Sequence, residues 1–350
     1  MLVAHTHSHR RYPCMRNGRF YNYFGEKKLQ FLLPSLSLLC SSFFSPAPVC
    51  PDLSAWVHQS IPQVSSEQLT VTWLGHASFL IQVNHINILT DPVFGDISRF
   101  YPRLLPSGVL LEHLPPIDLV LISHNHRDHL DAPSIITLAQ REQEFPVTFL
   151  VPEGDKRWFT SRNIPHEYEF MWWDRYTHKK QNNSIEISFL PAQHWSQRGL
   201  FDYNRSLWGS WMVSSAMRHV YFAGDTAYGS HFKAIAQEFP SISTALMPIG
   251  PCEPRKWMTT SHVSAEEAGQ AFLDLQAHSF IPMHWGTYNF GSDTFMAPIE
   301  RLTAWWHAQK QATVDKQLYI AKTGKQYIVS EQPKLILPER SRLTVPRAQQ

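Results

Sequence analysis

The stretch Ser123-His124-Asn125-His126-Arg127-Asp128-His129-Leu130-Asp131 constrains this chain more than any other. Three imidazoles and a carboxylate fall within six positions. They stand directly behind the apolar run Ile117-Asp118-Leu119-Val120-Leu121-Ile122, which reads as a buried strand delivering them into a loop. In extended chain His124 and His126 point to the same side at period two and can grip one ion, while Asp128 and His129, past the turn, face a neighbouring ion. Neutral imidazole and carboxylate are the ligands Zn²⁺ takes when it keeps a position open for water. Any one of these histidines alone would be read as a solvated loop residue, but this spacing behind an apolar strand is not a loop accident.

The metal has to be held by histidine and carboxylate, because Cys14, Cys40, Cys50 and Cys252 form no C-x-x-C pair and suggest neither a disulfide framework nor a cysteine site. With 350 residues, 43% hydrophobic and 17% charged, the chain is long and apolar enough for one large or two ordinary globular domains. A net charge of +2 is too mild to argue for a nucleic-acid partner, and none is expected.

Three regions are expected: a partly flexible N-terminal extension over 1–67, a catalytic domain over 68–330 and a polar tail over 331–350. His5, His7 and His9 read as a solvated tail, since no apolar strand or carboxylate flanks them. The apolar run over 29–44 follows Lys27 and Lys28 but is broken by Pro34, too short for a membrane span and too late for a secretion signal. It is expected to be a packing segment or an interfacial one that touches membrane.

Leu69 to Leu74 reads as a strand, Gly75-His76-Ala77 as its turn, Ser78 to Val83 as the hairpin partner and Ile86 to Thr90 as a third strand. A helix begun at Pro133 is expected over 132–143, followed by a strand over 147–152. Further strands, 185–191, 220–223 and 244–248, run into His194, Asp225 and Gly250. Ser264 and Glu267 form a capping box for a helix to about Gln276, the strand 279–283 runs into His284, and Pro298 opens a helix through Trp305 and Trp306. Strands followed by helices in both halves, without a short internal repeat, predict an α+β four-layer αββα sandwich. Four strand ends thus present metal-competent side chains: the histidine cluster, His194, Asp225 and His284.

With these residues in place the sequence resembles the metallo-β-lactamase-fold hydrolases, and within them the N-acyl-phosphatidylethanolamine phospholipase D family. The resemblance covers most of 68–310 and is carried by Trp73-Leu74-Gly75-His76-Ala77, Thr90-Asp91-Pro92, the H-N-H-R-D-H-L-D stretch, Gln193-His194-Trp195, Leu207-Trp208-Gly209-Ser210-Trp211, Phe222-Ala223-Gly224-Asp225-Thr226, Glu253-Pro254-Arg255 and His284-Trp285-Gly286-Thr287. The ligand set fixes only the superfamily, which hosts different reactions. The tryptophan-rich and Glu-Pro-Arg stretches narrow it.

The resemblance implies two Zn²⁺ ions. His124, His126 and His194 would hold the first, Asp128, His129 and His284 the second, and Asp225 would bridge both, since a carboxylate has two oxygens to share. It also implies attack on a phosphodiester by a hydroxide held between the ions, releasing N-acylethanolamine and leaving phosphatidic acid. Asp128 and His262 are the expected catalytic residues, His262 as phosphate contact or proton donor to the leaving alkoxide.

His76 and Asp91 are expected behind the ligands, orienting them. Arg127 stands where the animal enzymes carry an aromatic, and Ser261 where they carry an amide; Arg127, Trp208 and Trp285 are the expected substrate contacts. Trp172, Trp173, Trp195, Trp211 and Trp257 belong to the same tryptophan-rich loops, mostly as core, some lining an acyl groove. The expected partner is a phospholipid met at a membrane surface by a cytoplasmic, peripheral protein, with a homodimer left open.

Two alternatives remain. One keeps the two zincs but acts on a lactone or other small ester. The other keeps only the fold, as a catalytically silent lipid-binding or scaffold protein, against which stands the presence of all seven ligand positions. A di-iron redox site is disfavoured because its second motif position is typically Glu, where this chain has His126.

Overall fold

Strand directions alone bring the metal-competent strand ends to one edge. The computed structural model describes residues 11–22, 52–62, 68–215 and 218–329. A hairpin of β1 (Cys14–Arg16) and β2 (Arg19–Tyr21) comes first. One seven-stranded sheet is built from β3 (Thr70–Gly75), β4 (Ser78–Val83), β5 (Ile86–Thr90), β6 (Leu119–Leu121), β7 (Thr148–Pro152) and β8 (Glu167–Phe170) in chain order, with a late strand against β3. The second contains β9 (Arg175–Lys180), β10 (Asn183–Leu190), β11 (Ser210–Ser215), β12 (Arg218–Phe222), β13 (Thr244–Pro248), β14 (Ser279–Met283) and β15 (Gln317–Leu318). The late strand of the first sheet is β16 (Gln326–Ile328).

Each sheet starts as antiparallel hairpins and goes on as parallel strands. β3, β4 and β5 alternate in direction, then β5 to β8 run parallel. β9 to β12 alternate, then β12 to β15 run parallel. Consequently β3, β5 and β6 share one direction, as do β10, β12 and β14. Their carboxyl ends carry His76, Asp91, the 123–131 loop, His194, Asp225 and His284, at the edge where such sheets place their sites.

Side-chain alternation sorts the first sheet into two faces. Val71, Trp73, Phe79, Ile81, Ile88, Leu119 and Leu121 pack into the core between the sheets, together with Ile187, Phe189, Trp211, Val213 and Phe222 of the second. Leu80, Leu89, Val120, Phe149 and Val151 face outward, where Ile135 and Leu138 of the helix Ala132–Ala139 cover them. Phe272 and Ala268 of the helix Ala265–Asp274 join the inter-sheet cluster from the far side. The result is helix, sheet, sheet, helix, as expected.

The capping box at Ser264 and Glu267 is present as read. The helix behind Pro133 stops at Ala139 with Gln140 as its cap, shorter than the expected 132–143. The polar strand β9 had no apolar alternation to announce it; its residues alternate between exposed and half-buried at the sheet edge. Two pieces of chain ahead of residue 68 pack on the sandwich: Phe20 lies in the inter-sheet core, and the Trp56 ring sits edge-on to Trp285 at 5.2 Å. His5, His7, His9, the run 29–44 and the tail 331–350 lie outside the described residues. Among the described residues no helix is long and apolar enough to cross a membrane.

Candidate metal centre

Gly224 shows how the local chain places a candidate donor. It stands two residues past β12 at φ +58°, and a Cβ there would stand 2.6 Å from the Ser123 Cβ, so only glycine lets Asp225 approach the histidine loop this closely. His76, Asp91 and His284 also sit at positive φ, 51°, 32° and 61°. Non-glycine residues in this region carry strain, and such strain collects where structure is held for function.

Two sets of donor atoms converge. His124, His126, His194 and Asp225 form one, and His76, Asp128, His129 and His284 the other; within each, all the atoms lie inside 4.8 Å of one another. Asp225 stands between them: its Oδ2 is 3.9 Å from His124 Nε2, 3.7 Å from His194 Nε2 and 3.2 Å from His129 Nε2, and its Oδ1 is 3.0 Å from His284 Nε2. Asp128 Oδ2 is 3.3 Å from His129 Nε2, 3.8 Å from His284 Nε2 and 3.0 Å from His76 Nε2. The expected ligands are therefore brought together in the expected two groups, with His76 closer to the second than an orienting role required.

The donor set fits a cation. His126 Nε2, Asp225 Oδ1 and the ring nitrogens of His284 are buried without a well-directed hydrogen bond, an arrangement that costs free energy unless a cation meets the acceptors among them. Burial lowers His126 to about 4 and His194 and His76 to about 3, and holds His124 well below its ordinary value, so these rings are neutral and free to ligate. Burial also works against charge on His129, yet the carboxylates of Asp225 and Asp128 outweigh it and hold that ring well above the usual histidine range. For Asp225 burial is likewise outweighed, by His284, His129 and His262, and its carboxyl is held well below the usual range.

A buried scaffold orients the candidate donors. Asp91 Oδ2 lies 2.7 Å from His129 Nδ1, and its carboxylate accepts from the Ser123 amide at 2.7 Å and the Ser123 hydroxyl at 2.5 Å. Ser123 Oγ in turn stands 2.9 Å from His124 Nδ1. The Ser261 carbonyl is 2.8 Å from His194 Nδ1, and Asn22 of the N-terminal hairpin segment donates to the His194 carbonyl at 2.9 Å. Such partners fix the tautomer and aim of a metal histidine.

His262 Nδ1 is 3.8 Å from Asp225 Oδ2, with the side chain 15% exposed. The Glu253-Pro254-Arg255 stretch finds its purpose here: Arg255 donates to the His262 carbonyl at 2.9 Å and to Glu267 at 2.5 Å, tying the loop to the capped helix. Arg127 is exposed and its guanidinium reaches the Arg198 carbonyl at 3.5 Å. Trp208 and Trp285, expected as substrate contacts, are both packed inside the sandwich. Trp208 is wholly buried with its Nε1 donating to Asn22 Oδ1 and the Ala192 carbonyl, and Trp285 is stacked on Trp73 at 5.3 Å. Trp172 and Trp211 are core as well, whereas Trp195, half-buried, puts its ring 4.2 Å from that of His126.

Arg198, which sequence reasoning missed, donates to the carbonyls of Asn125 at 2.9 Å and Leu130 at 2.7 Å and so clamps both ends of the histidine loop. A solitary arginine far down the chain carries no signal of this. Asp155, also missed, accepts from Asn125 Nδ2 at 3.0 Å, and burial pushes its carboxyl up to about 7 against the pull of Ser206, Asn125 and Arg198. The folded chain holds that proton between about pH 4 and about 7, where the unfolded chain has released it, so stability from this group is lost as pH rises through that window. Asp155→Asn is expected to melt at a higher temperature than the parent at pH 8, with the gap closing toward pH 4 in thermal scans.

A family profile described as the beta-lactamase superfamily domain matches residues 86–285. A Caenorhabditis elegans protein named N-acyl-phosphatidylethanolamine-hydrolyzing phospholipase D 1 is 34% identical over 250 residues, 68% of this chain and 70% of that one. A Saccharomyces cerevisiae protein named N-acyl-phosphatidylethanolamine-hydrolyzing phospholipase D, mitochondrial, is 34% identical over 239 residues, 66% of this chain and 50% of that one. Among solved structures, Igni18, a metallo hydrolase from the archaeon Ignicoccus hospitalis, superposes with a TM-score of 0.54 at 20% identity, covering 74% of this chain and 97% of its own.

Proposed function

The chain belongs to the beta-lactamase superfamily as a metallo-hydrolase related to N-acyl-phosphatidylethanolamine-hydrolysing phospholipases D, and from that premise we propose that it hydrolyses N-acyl-phosphatidylethanolamine with two zinc ions. The observation that carries the reading is Asp225 standing between two donor groups, with one further imidazole, His262, beside it and reachable from solvent.

Two divalent cations at these donors would supply a water deprotonated near neutral pH and would offset the negative charge of a phosphodiester. His124, His126 and His194 would hold one and Asp128, His129 and His284 the other, with Asp225 shared. The chain's own work is then geometric and protonic. Asp91, Ser123 and the Ser261 carbonyl keep the ligating rings aimed, at no reorganisation cost when substrate arrives.

His262 has the proton-handling role. Burial lowers it to about 3, so it meets substrate neutral and its N–H can donate to a phosphate oxygen. The proton that the attacking water gives up can move to this ring, whose protonated form the incoming anion favours, and from it to the ethanolamine oxygen as the bond from phosphorus to that oxygen breaks. Water contributes the new oxygen on phosphorus, phosphatidic acid keeps the phosphate, and N-acylethanolamine leaves as the alcohol.

The test offers a long-chain N-acyl-phosphatidylethanolamine in mixed micelles to the zinc-loaded chain. Release of N-acylethanolamine is expected, and brisk hydrolysis of a lactone without it would sink the reading. His262→Ala is expected to lower kcat about 10²–10⁴-fold while zinc content by elemental analysis stays at the parent level. Zinc lost together with activity would move His262 from proton handling to ligation.

A further inference from the structure

We propose that the edge carrying the metal centre docks on an anionic phospholipid surface, with Leu200, Phe201 and Phe100 inserted among the acyl chains; this rests on the reading of the chain as a lipid hydrolase. Leu200 is 87% exposed and Phe201 82%, the two most exposed of the large apolar side chains among the described residues, and they are adjacent. Scattered exposed apolar residues need no explanation, but an adjacent pair on a braced loop does.

The bracing is specific. The loop's neck is closed by the Asn204 amide on the Ser196 carbonyl at 2.7 Å and the Ser196 amide on Asn204 Oδ1 at 3.1 Å. Asp202 inside the turn accepts from the Gly199 amide at 2.8 Å. From outside, the Phe20 amide donates to the Asn204 carbonyl at 2.8 Å, and Arg19 donates to the Tyr203 carbonyl. Arg198, at the foot of the tip, holds the histidine loop through Asn125 and Leu130. A tip fastened this firmly presents Leu200 and Phe201 outward at little further ordering cost.

Both outposts connect to the centre through aromatic rings. On one side Tyr203 lies 5.9 Å from Trp195, which lies 4.2 Å from His126. On the other, Phe100, 56% exposed, precedes Tyr101, whose ring is 5.2 Å from Phe290; that ring is 5.6 Å from His76 and 6.1 Å from His284. A lipid drawn toward the donors from a bilayer would meet apolar surface on both flanks.

Charge selects an anionic surface. Arg127 and Arg205 are exposed beside this loop, and the Arg99 guanidinium lies 5.0 Å over the Phe100 ring. Of the nearby carboxylates, Asp202 is half-buried and accepts from loop amides, and Asp96 is exposed and accepts from the Arg103 amide at 2.7 Å, so the exposed arginines outnumber the exposed carboxylates. Apolar side chains with arginines beside them are the composition that binds the interface of anionic bilayers.

The experiment is co-sedimentation of the full chain with substrate-free vesicles of phosphatidylcholine and phosphatidylserine, and with phosphatidylcholine alone. The parent is expected to sediment with the anionic vesicles and less with the neutral ones. The variant Phe100→Ser/Leu200→Ser/Phe201→Ser is expected to lose about tenfold or more in partitioning, its melting temperature unchanged because all three side chains are exposed. Its hydrolysis of the water-soluble diester bis(4-nitrophenyl) phosphate is expected to match the parent. A parent that stays in the supernatant overturns the proposal, and so does a triple variant that sediments like the parent, which would place attachment elsewhere, with 29–44 next to test. Docking needs no turnover, so a chain that docks yet spares N-acyl-phosphatidylethanolamine overturns the catalytic reading while supporting this one.

Discussion

Asp225→Ala is expected to abolish hydrolysis and to lower bound metal in the same preparation. Among the described residues Asp225 is the one carboxylate within 4 Å of nitrogens from both donor groups, on His124 and His194 on one side and on His129 and His284 on the other. Removing it takes an anion from the middle of neutral rings and leaves His129, which the Asp225 and Asp128 carboxylates hold well above its usual range, without one of those two carboxylates. A loss of activity of about 10³-fold is expected, the upper end of what deleting a charge-stabilising group in a closed site costs. Elemental analysis alongside turnover decides: activity gone with the full metal complement retained would mean that Asp225 acts on substrate and is not a shared ligand. Asp225→Asn keeps the shape and loses the charge, and should recover only a small part.

Asp91→Ala is expected to have the largest effect on the fold. This side chain has no exposed surface, and it satisfies the Ser123 amide, the Ser123 hydroxyl and His129 Nδ1 together. The truncation orphans a buried amide and frees the His129 tautomer, and it sets alanine at φ +32°, which aspartate tolerates better. Breaking a buried charged network by removing one partner costs about 3–5 kcal/mol. Metal affinity should fall about 10–100-fold, as when a group behind a ligating histidine is lost. Denaturant unfolding with and without zinc separates the two effects. A metal-free variant as stable as the metal-free parent would show that Asp91 serves only the ligands.

How much of this was legible depended on distance along the chain. The histidine cluster, the strands Ser78–Val83, Ile86–Thr90, Thr244–Pro248 and Ser279–Met283, and the Ser264 capping box were readable because their signals are local: alternation at period two, a cap three residues from its partner, ligands two residues apart. The strand β9, with its sequence Arg-Tyr-Thr-His-Lys-Lys, was not, since at a sheet edge it needs no apolar face. Trp208 and Trp285 look alike in sequence to a tryptophan that lines a groove, and only packing showed them inside the core.

The sequence by itself determined the donors and the fold class, because the type and spacing of His124, His126, Asp128 and His129 already satisfy a metal's chemistry, and the pattern of strands and helices already demands two covered sheets. Tertiary structure alone decided which donors meet and what holds them. Asp225 comes between the two groups because β6 and β12 end at one edge and Gly224 permits the approach, and Arg198 and Asn22 act on the centre across long stretches of chain. Contacts of that kind are closed by folding, and no local pattern encodes them, since the partner of a single polar side chain is set by the register of whole sheets.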